Sequence, residues 1–246
     1  VLEVRPATPV FSYEEVGGTV HHFSVLEPHL SLDIVATALV EMLPAELFAG
    51  VNLVQTDAEF YRSWETRDTW AEFLGPSPYV ALSQSVAAFA PPWPVDLPAA
   101  RYLLDLTRFL YETLDYDQSA TDVHTQVEEV LELEAGVCQD FAHLMLACCR
   151  IRGIPARYVS GYLYAGEGLR GELGSHAWVE CLLPSGHWLS LDPTNNLIAN
   201  EHYIRVHVGR DYADVSPTRG VYVGSAATKM DFGVTVVEVP APARLS

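Results

Sequence analysis

The stretch GVCQDFAHLMLACCRIRGIP, residues 136–155, constrains the fold more than any other part of this chain. Between Cys138 and Ile151 nearly every side carries an apolar group: Phe141, Ala142, Leu144, Met145, Leu146, Ala147, Cys148 and Cys149. A helix that is apolar all round has no solvent face, so it must run through the centre of a larger structure. Its ends can also be read. Gly136 breaks the chain ahead of it, Arg150 and Arg152 fall in its last turn, Gly153 suits the C′ position and Pro155 blocks continuation. The helix therefore begins close to Cys138.

The chain is long enough to surround such a helix. Its 246 residues, 49% of them hydrophobic, correspond to one large domain or one domain plus a smaller lobe, and exclude a disordered chain. No stretch approaches the roughly 18 unbroken apolar residues of a membrane span. Val1 to Pro9 lack the basic start and apolar run of a secretory signal. The net charge is −18, unevenly placed: residues 1–125 carry 5 basic and 18 acidic side chains, residues 126–246 carry 9 and 14. A surface of that sign repels phosphate backbones and anionic membranes, so neither nucleic acid nor membrane is expected as a partner.

The four cysteines, Cys138, Cys148, Cys149 and Cys181, form no Cys-x-x-Cys spacing and no zinc pattern. Cys138 and Cys148 lie about 15 Å apart on one helix, beyond disulfide reach. Free thiols point to a reducing, cytoplasmic setting.

Ahead of the central helix the chain divides by pattern. Residues 1–56 read as a β lobe: His29–Met42 alternates apolar and polar side chains, and residues 11–28, turning at Gly17-Gly18, are expected to supply a partner strand. Residues 57–246 read as the main core. Helical spacing covers 57–74 and 99–114, with a short helix near 82–90 inside a proline-rich connector. Thr125-Gln126-Val127-Glu128 has the form of a capping box opening a helix to Leu133. Strand-like stretches at 203–208, 221–223 and 234–239 are expected to extend a sheet.

Residues 175–194, SHAWVECLLPSGHWLSLDPT, hold two strand-like runs around Pro184-Ser185-Gly186. That is a three-residue loop with glycine where a left-handed residue is needed. If Leu183 and His187 close the loop, Trp178 faces Asp192, and Asp192 is the diagonal neighbour of His176 on the same sheet face. Diagonal neighbours lie about 7–8 Å apart, within reach of an imidazole–carboxylate hydrogen bond.

These elements carry chemistry when taken together. The first turn of a helix offers unpaired N–H groups and the positive end of the dipole, both of which stabilise a thiolate. Cys138 sits there, and its N–H is placed to act as an oxyanion donor. His176 can serve as base, with Asp192 fixing its tautomer. Cys148 and Cys149 read as core residues. Taken singly, His176 reads as a half-buried strand histidine and Asp192 as a turn carboxylate. It is the set, in the order Cys, His, Asp, that reads as nucleophile, base and orienting acid.

With GVCQDFAHL followed by RGIPARYVSGY, SHAWVE and WLSLDPTN, the sequence resembles the transglutaminase-like superfamily. More narrowly, it is similar to bacterial transglutaminase-like proteins of the cysteine-protease type, with a papain-like fold. The resemblance continues through VGRDYADVSPTRGVYVG at 208–224. It implies an α+β core in which a Cys-bearing helix packs on an antiparallel β-sheet carrying His and Asp, here with an N-terminal β lobe. It implies that Cys138, His176 and Asp192 form a catalytic triad with no metal or other cofactor, acting on a peptide or protein substrate. Tyr116 is a candidate for the second oxyanion donor, against a competing reading as a buried structural tyrosine. Asp140 reads chiefly as a carboxylate favouring its own helix start. Trp178 and Trp188 read as packing, His21 and His22 as non-catalytic, and the glycine-rich run 165–174 as either a lid or a plain connector.

The chemistry expected is cysteine-dependent acyl transfer or hydrolysis of amide bonds through a thioester. The alternative from another class is a non-catalytic peptide-binding module that keeps the same fold. A metal site built on Cys138 and His176 would need further ligands that the sequence does not supply.

Overall fold

The computed structural model describes residues 1–15, 17–43, 48, 50–54, 56–164, 170, 174–224 and 229–239. Four strands come first: β1 (Leu2–Arg5), β2 (Val10–Glu15), β3 (Gly18–Phe23) and β4 (Asp33–Ala36). Next come α1 (Ala58–Arg62), α2 (Trp64–Thr69), a 3₁₀ turn at Ala71–Phe73, α3 (Gln84–Phe89) and α4 (Ala99–Thr113). The two-residue strand β5 (Asp115–Tyr116), α5 (Val127–Leu133) and the two-residue strand β6 (Ala135–Gly136) lead into α6 (Cys138–Ile151). Then follow β7 (Ala156–Leu163), β8 (Ser175–Leu182), β9 (Trp188–Asp192), β10 (Leu197–Ile198), β11 (Tyr203–Gly209) and α7 (Tyr212–Val215).

The centre is a five-stranded antiparallel sheet in the order β10-β9-β8-β7-β11. Helix α6 packs along β7 and β8, and α3, α4 and α5 cover its other sides. Every residue from Gln139 to Arg150 is buried, which is why that helix can afford no polar face. The ends of α6 fall where the sequence puts them: Arg152 is the C-cap and Gly153 follows with φ of 78°. Arg150, 3% exposed, donates to the carbonyls of Gly75, Ala156 and Arg210 and to the Ser77 hydroxyl, so this buried cation is held chiefly by backbone oxygens.

Four sequence expectations are corrected here. Only Asp33–Ala36 of the alternating run 29–42 becomes a strand, and its partner is β1, not residues 11–28. All four residues of β4 are exposed. Residues 10–23 pair with themselves as the β2–β3 hairpin, whose turn abuts Val208 of β11. The N-cap of α5 is Gln126, one residue later than the capping-box pattern places it. Thr125 instead accepts the Asp122 N–H at 3.0 Å, a local turn that competes with the cap. Of the three C-terminal stretches, Tyr203–Gly209 joins the sheet beside β7, whereas 221–223 and 234–239 are not strands. Val221, Val223 and Val237 are exposed there, so strand propensity alone found no face to bury.

Candidate active site

The β8–β9 hairpin has the register that its turn dictates. Val179 pairs with Leu191, Glu180 with Ser190, Cys181 with Leu189 and Leu182 with Trp188, and the Leu183 N–H donates to the His187 carbonyl at 2.8 Å. Gly186 takes φ of 83°, the left-handed conformation that this loop needs. His176 and Asp192 therefore meet on one face, with His176 Nε2 2.8 Å from Asp192 Oδ2 and both side chains fully buried.

Asp192 is over-determined. Its Oδ1 accepts the N–H groups of Thr194 and Asn195 at 2.8 and 3.2 Å. Its Oδ2 accepts the Asn195 amide and the Tyr203 hydroxyl, each at 2.8 Å, besides the imidazole. Burial alone would raise the carboxyl pKa; these donors, led by His176, outweigh it and hold the pKa below the ordinary value. Burial likewise works against a charged His176, but Asp192 and Cys138 together push its pKa up to about 10. The ring is thus an imidazolium at neutral pH. Its Nε2 is taken by Asp192, while Nδ1 is buried and has no hydrogen-bond partner of ordinary geometry among the described residues. Cys138 is the other neighbour whose interaction raises the imidazole pKa.

Cys138 is half-buried and is the first residue of α6. The start of that helix is built by Asp140, whose Oδ2 accepts the Val137 N–H at 2.8 Å and the Thr121 hydroxyl at 2.6 Å. Gly136 makes room for this carboxylate: a Cβ there would lie 2.5 Å from Asp140 Oδ2. The role of Asp140 in the structure is to close the first turn, in keeping with its helix-start reading. The parallel pairing of β5 with β6 sets Tyr116 opposite Gly136, two residues before Cys138. Burial raises the Tyr116 pKa, so its hydroxyl stays protonated, and the Arg170 guanidinium lies 5.5 Å from its ring centroid.

Of the remaining candidates, Trp178 stacks on His176 with ring centroids 6.2 Å apart, and the others fall away from this cluster. Trp178 is buried against Val159, Leu163 and Tyr203. Trp188 packs edge-on to Trp70 and Phe73 with Arg157 over its ring. His21 and His22 lie on exposed positions of β3. Cys148 is buried, which pushes its thiol pKa up, and Cys149 sits 3.7 Å from Cys181 in the core. The lid reading of 165–174 falls largely on residues outside those described; Arg170 is within them, its N–H donating to Asn195 Oδ1 at 2.9 Å. Among the described residues, no group of three His, Cys, Asp or Glu side chains is arranged to hold a metal ion.

Two residues that the sequence reading passed over complete the arrangement. Asn195 ties the Asp192 carboxylate to the backbone of Arg170, and Tyr203 reaches Asp192 from β11. The spacing Asp-x-x-Asn was a usable signal for the first, since a short polar side chain three residues on folds back over a turn. Tyr203 carried none, because its partner is set by strand order.

Comparison with known proteins agrees with this architecture. The model of the transglutaminase-like superfamily core matches residues 96–193. The chain is 35% identical over 243 residues to the Mycobacterium leprae protein ML0607, covering 97% of this chain and 85% of that one. It is 33% identical over 254 residues to Rv2569c of Mycobacterium tuberculosis, covering 96% and 79%. A protein-glutamine gamma-glutamyltransferase of Pseudomonas aeruginosa shares 34% identity over 97 residues, 36% of this chain and 14% of that protein. The fold is similar to a crystal structure named "Putative Cysteine Protease from Cytophaga hutchinsonii", with a TM-score of 0.66 at 21% identity over 88% of this chain and 71% of that one. This chain belongs to the transglutaminase-like superfamily.

Proposed function

We propose that this protein is a cysteine-dependent hydrolase or acyltransferase acting on amide bonds of peptides or proteins through a thioester. The observation that carries the reading is the His176–Asp192 pair at 2.8 Å, with its imidazolium beside a cysteine at the first position of a buried helix. A thiolate at Cys138 attacks the carbonyl carbon, forming a C–S bond while the carbonyl electron pair moves onto oxygen. When that intermediate collapses, the C–N bond breaks and the leaving nitrogen takes a proton from His176. Water or an amine, deprotonated by the now neutral His176, then attacks the thioester and releases the thiolate.

Two donors suit the transient oxyanion: the Cys138 N–H, at a helix position without an intrahelical partner, and the Tyr116 hydroxyl. Hydrolysis is favoured over transamidation, because water outcompetes an amine unless a site excludes the one and positions the other.

The test is a mass-resolved incubation with glutamine-containing peptides, with and without a primary amine. Ammonia release with a Glu product identifies an amidase, an amine adduct a transglutaminase, and chain cleavage a protease. In whichever assay responds, Tyr116→Phe is expected to lower kcat by about 10²–10³ with KM little changed. If no peptide reacts, and the Cys138→Ala protein still performs the cellular role of the parent, the binding-module reading replaces the enzyme.

A further inference from the structure

At the far end of α6, about 20 Å from Cys138 at the ordinary helical rise, the structure holds a cavity of about 230 Å³. Ile151, Arg152 and Gly153 form part of its wall, and α1, α2 and the segment around Trp93 supply the rest. Three guanidinium groups line it, from Arg62, Arg67 and Arg152, and no carboxylate does. In a chain with 14 basic and 32 acidic side chains, that local excess needs a reason.

Elsewhere among the described residues, Arg5, Arg101, Arg108, Arg157, Arg205 and Arg210 are ion-paired with carboxylates, Arg170 lies over the Tyr111 and Tyr116 rings, and Arg219 donates to the Ala213 carbonyl. The side chains of Arg62 and Arg67 make neither a hydrogen bond nor an ion pair among the described residues. Arg152 is held in place: its Nε donates to the Pro91 carbonyl at 3.0 Å, its Nη2 to the carbonyls of Ala87 and Ala90, and its guanidinium also interacts with the Tyr102 hydroxyl. The other polar tips in the wall are occupied, Tyr61 by the Leu182 carbonyl and Trp93 by the Leu97 carbonyl. The hydrogen-bonding capacity facing the cavity is therefore almost entirely cationic.

Each arginine also stands at a helix C-terminus, where a cation offsets the carbonyl ends. That accounts for each one separately. It does not account for three lining one cavity with no acid among them. The volume is smaller than the roughly 300–1,000 Å³ of sites for drug-sized ligands, so the occupant is compact.

We propose that this cavity is a binding site for a phosphate-type oxyanion, either free phosphate or the phosphoryl group of a small organic ester, separate from the candidate active site. Guanidinium groups match the oxygens of such an ion in pairs, and charge-assisted bonds of this kind are the strong ones. The apolar wall of Ile151 and Trp93 gives an ester's carbon portion a surface to cover.

The experiment is calorimetric titration of the full chain at constant ionic strength with inorganic phosphate, phenyl phosphate and acetate, repeated on Arg62→Gln/Arg67→Gln and on Cys138→Ala. Saturable binding of a phosphate probe at millimolar concentration or below is expected, weakened about 10-fold or more in the double variant and unchanged in Cys138→Ala. Both substituted arginines are exposed and unpartnered, so the double variant is expected to keep its fold, checked by its circular dichroism spectrum. Tighter binding of phenyl phosphate assigns the site to a phosphorylated organic ligand; equal or tighter binding of inorganic phosphate assigns it to the free ion. No saturable binding, binding of acetate alone, or binding untouched by the double substitution would overturn the proposal. Because Cys138→Ala retains the site, its failure is separable from failure of the thioester chemistry.

Discussion

Replacing Cys138 by alanine is expected to lower turnover by a factor on the order of 10⁶, down to whatever the oxyanion donors and substrate binding supply alone. The size of the effect follows from the unit the residues form. Without a sulfur nucleophile, His176 and Asp192 have nothing to activate, so their contributions vanish with it. The fold is expected to survive. Cys138 is half-buried at the first position of α6, and the bond that closes the start of that helix is donated by the Val137 N–H to the Asp140 carboxylate, which alanine leaves untouched. A circular dichroism spectrum and a thermal midpoint close to those of the parent, beside abolished turnover, are the expected outcome. Residual turnover within about 10-fold of the parent would mean that another group attacks the carbonyl.

Asp192→Asn is expected to cost both rate and stability. The two Asp192 oxygens accept five hydrogen bonds, three of them at Oδ2 from His176, Asn195 and Tyr203. An amide NH₂ in that place is a donor facing three donors. Turning the amide the other way faces the NH₂ toward the N–H groups of Thr194 and Asn195. With the NH₂ facing His176, the imidazole avoids the conflict by carrying its proton on Nδ1, which is the wrong tautomer for a base. A fall in kcat of about 10²–10⁴ is expected, with KM changed much less.

The stability change carries a pH signature. The His176 pKa is raised in the folded chain, so its contribution is present below about 6.5 and is lost as the pH rises through about 10. The Asp192 pKa is lowered, so its contribution is present above the ordinary carboxylate value and is lost as the pH falls through the folded value. Between those limits both are charged and the pair is intact. The difference in unfolding free energy between parent and Asp192→Asn is therefore expected to be largest near pH 5–6 and to shrink towards either extreme. A difference that stays constant with pH would show that the pair is not ionised.

The parts of this molecule that could be read from sequence are those where local physics decides. Helix α6 announces itself because apolar side chains lie on nearly every side of it between a glycine break and a Gly-x-Pro stop. The β8–β9 register follows from one turn, since fixing Leu183 against His187 fixes every pair behind it, including the face shared by His176 and Asp192. The parts that could not be read are those decided by partners distant in the chain. The run 29–42 alternates convincingly, yet its strand lasts four residues because only β1 is there to pair with it. The valines at 221, 223 and 237 have strand propensity but no sheet edge to complete. Tyr203 supports Asp192 only because β11 lies against β7, a crossing of the sheet order that no local pattern encodes.

We propose that Cys138 is the nucleophile and that the His176–Asp192 pair activates it, and the rate of its alkylation tests that most directly. Exposure alone makes Cys138 react before the fully buried Cys148, Cys149 and Cys181, so comparing the four thiols is not enough. The decisive comparison is between the parent and His176→Ala, with iodoacetamide at pH 6 and mass mapping of the modified residue. A free thiol is almost wholly protonated at that pH, whereas a thiolate paired with imidazolium remains available. The expected result is modification of Cys138 at least about 10-fold faster in the parent than in His176→Ala, after allowing for the lower nucleophilicity of a more acidic thiol. Equal rates in the two proteins would contradict the account.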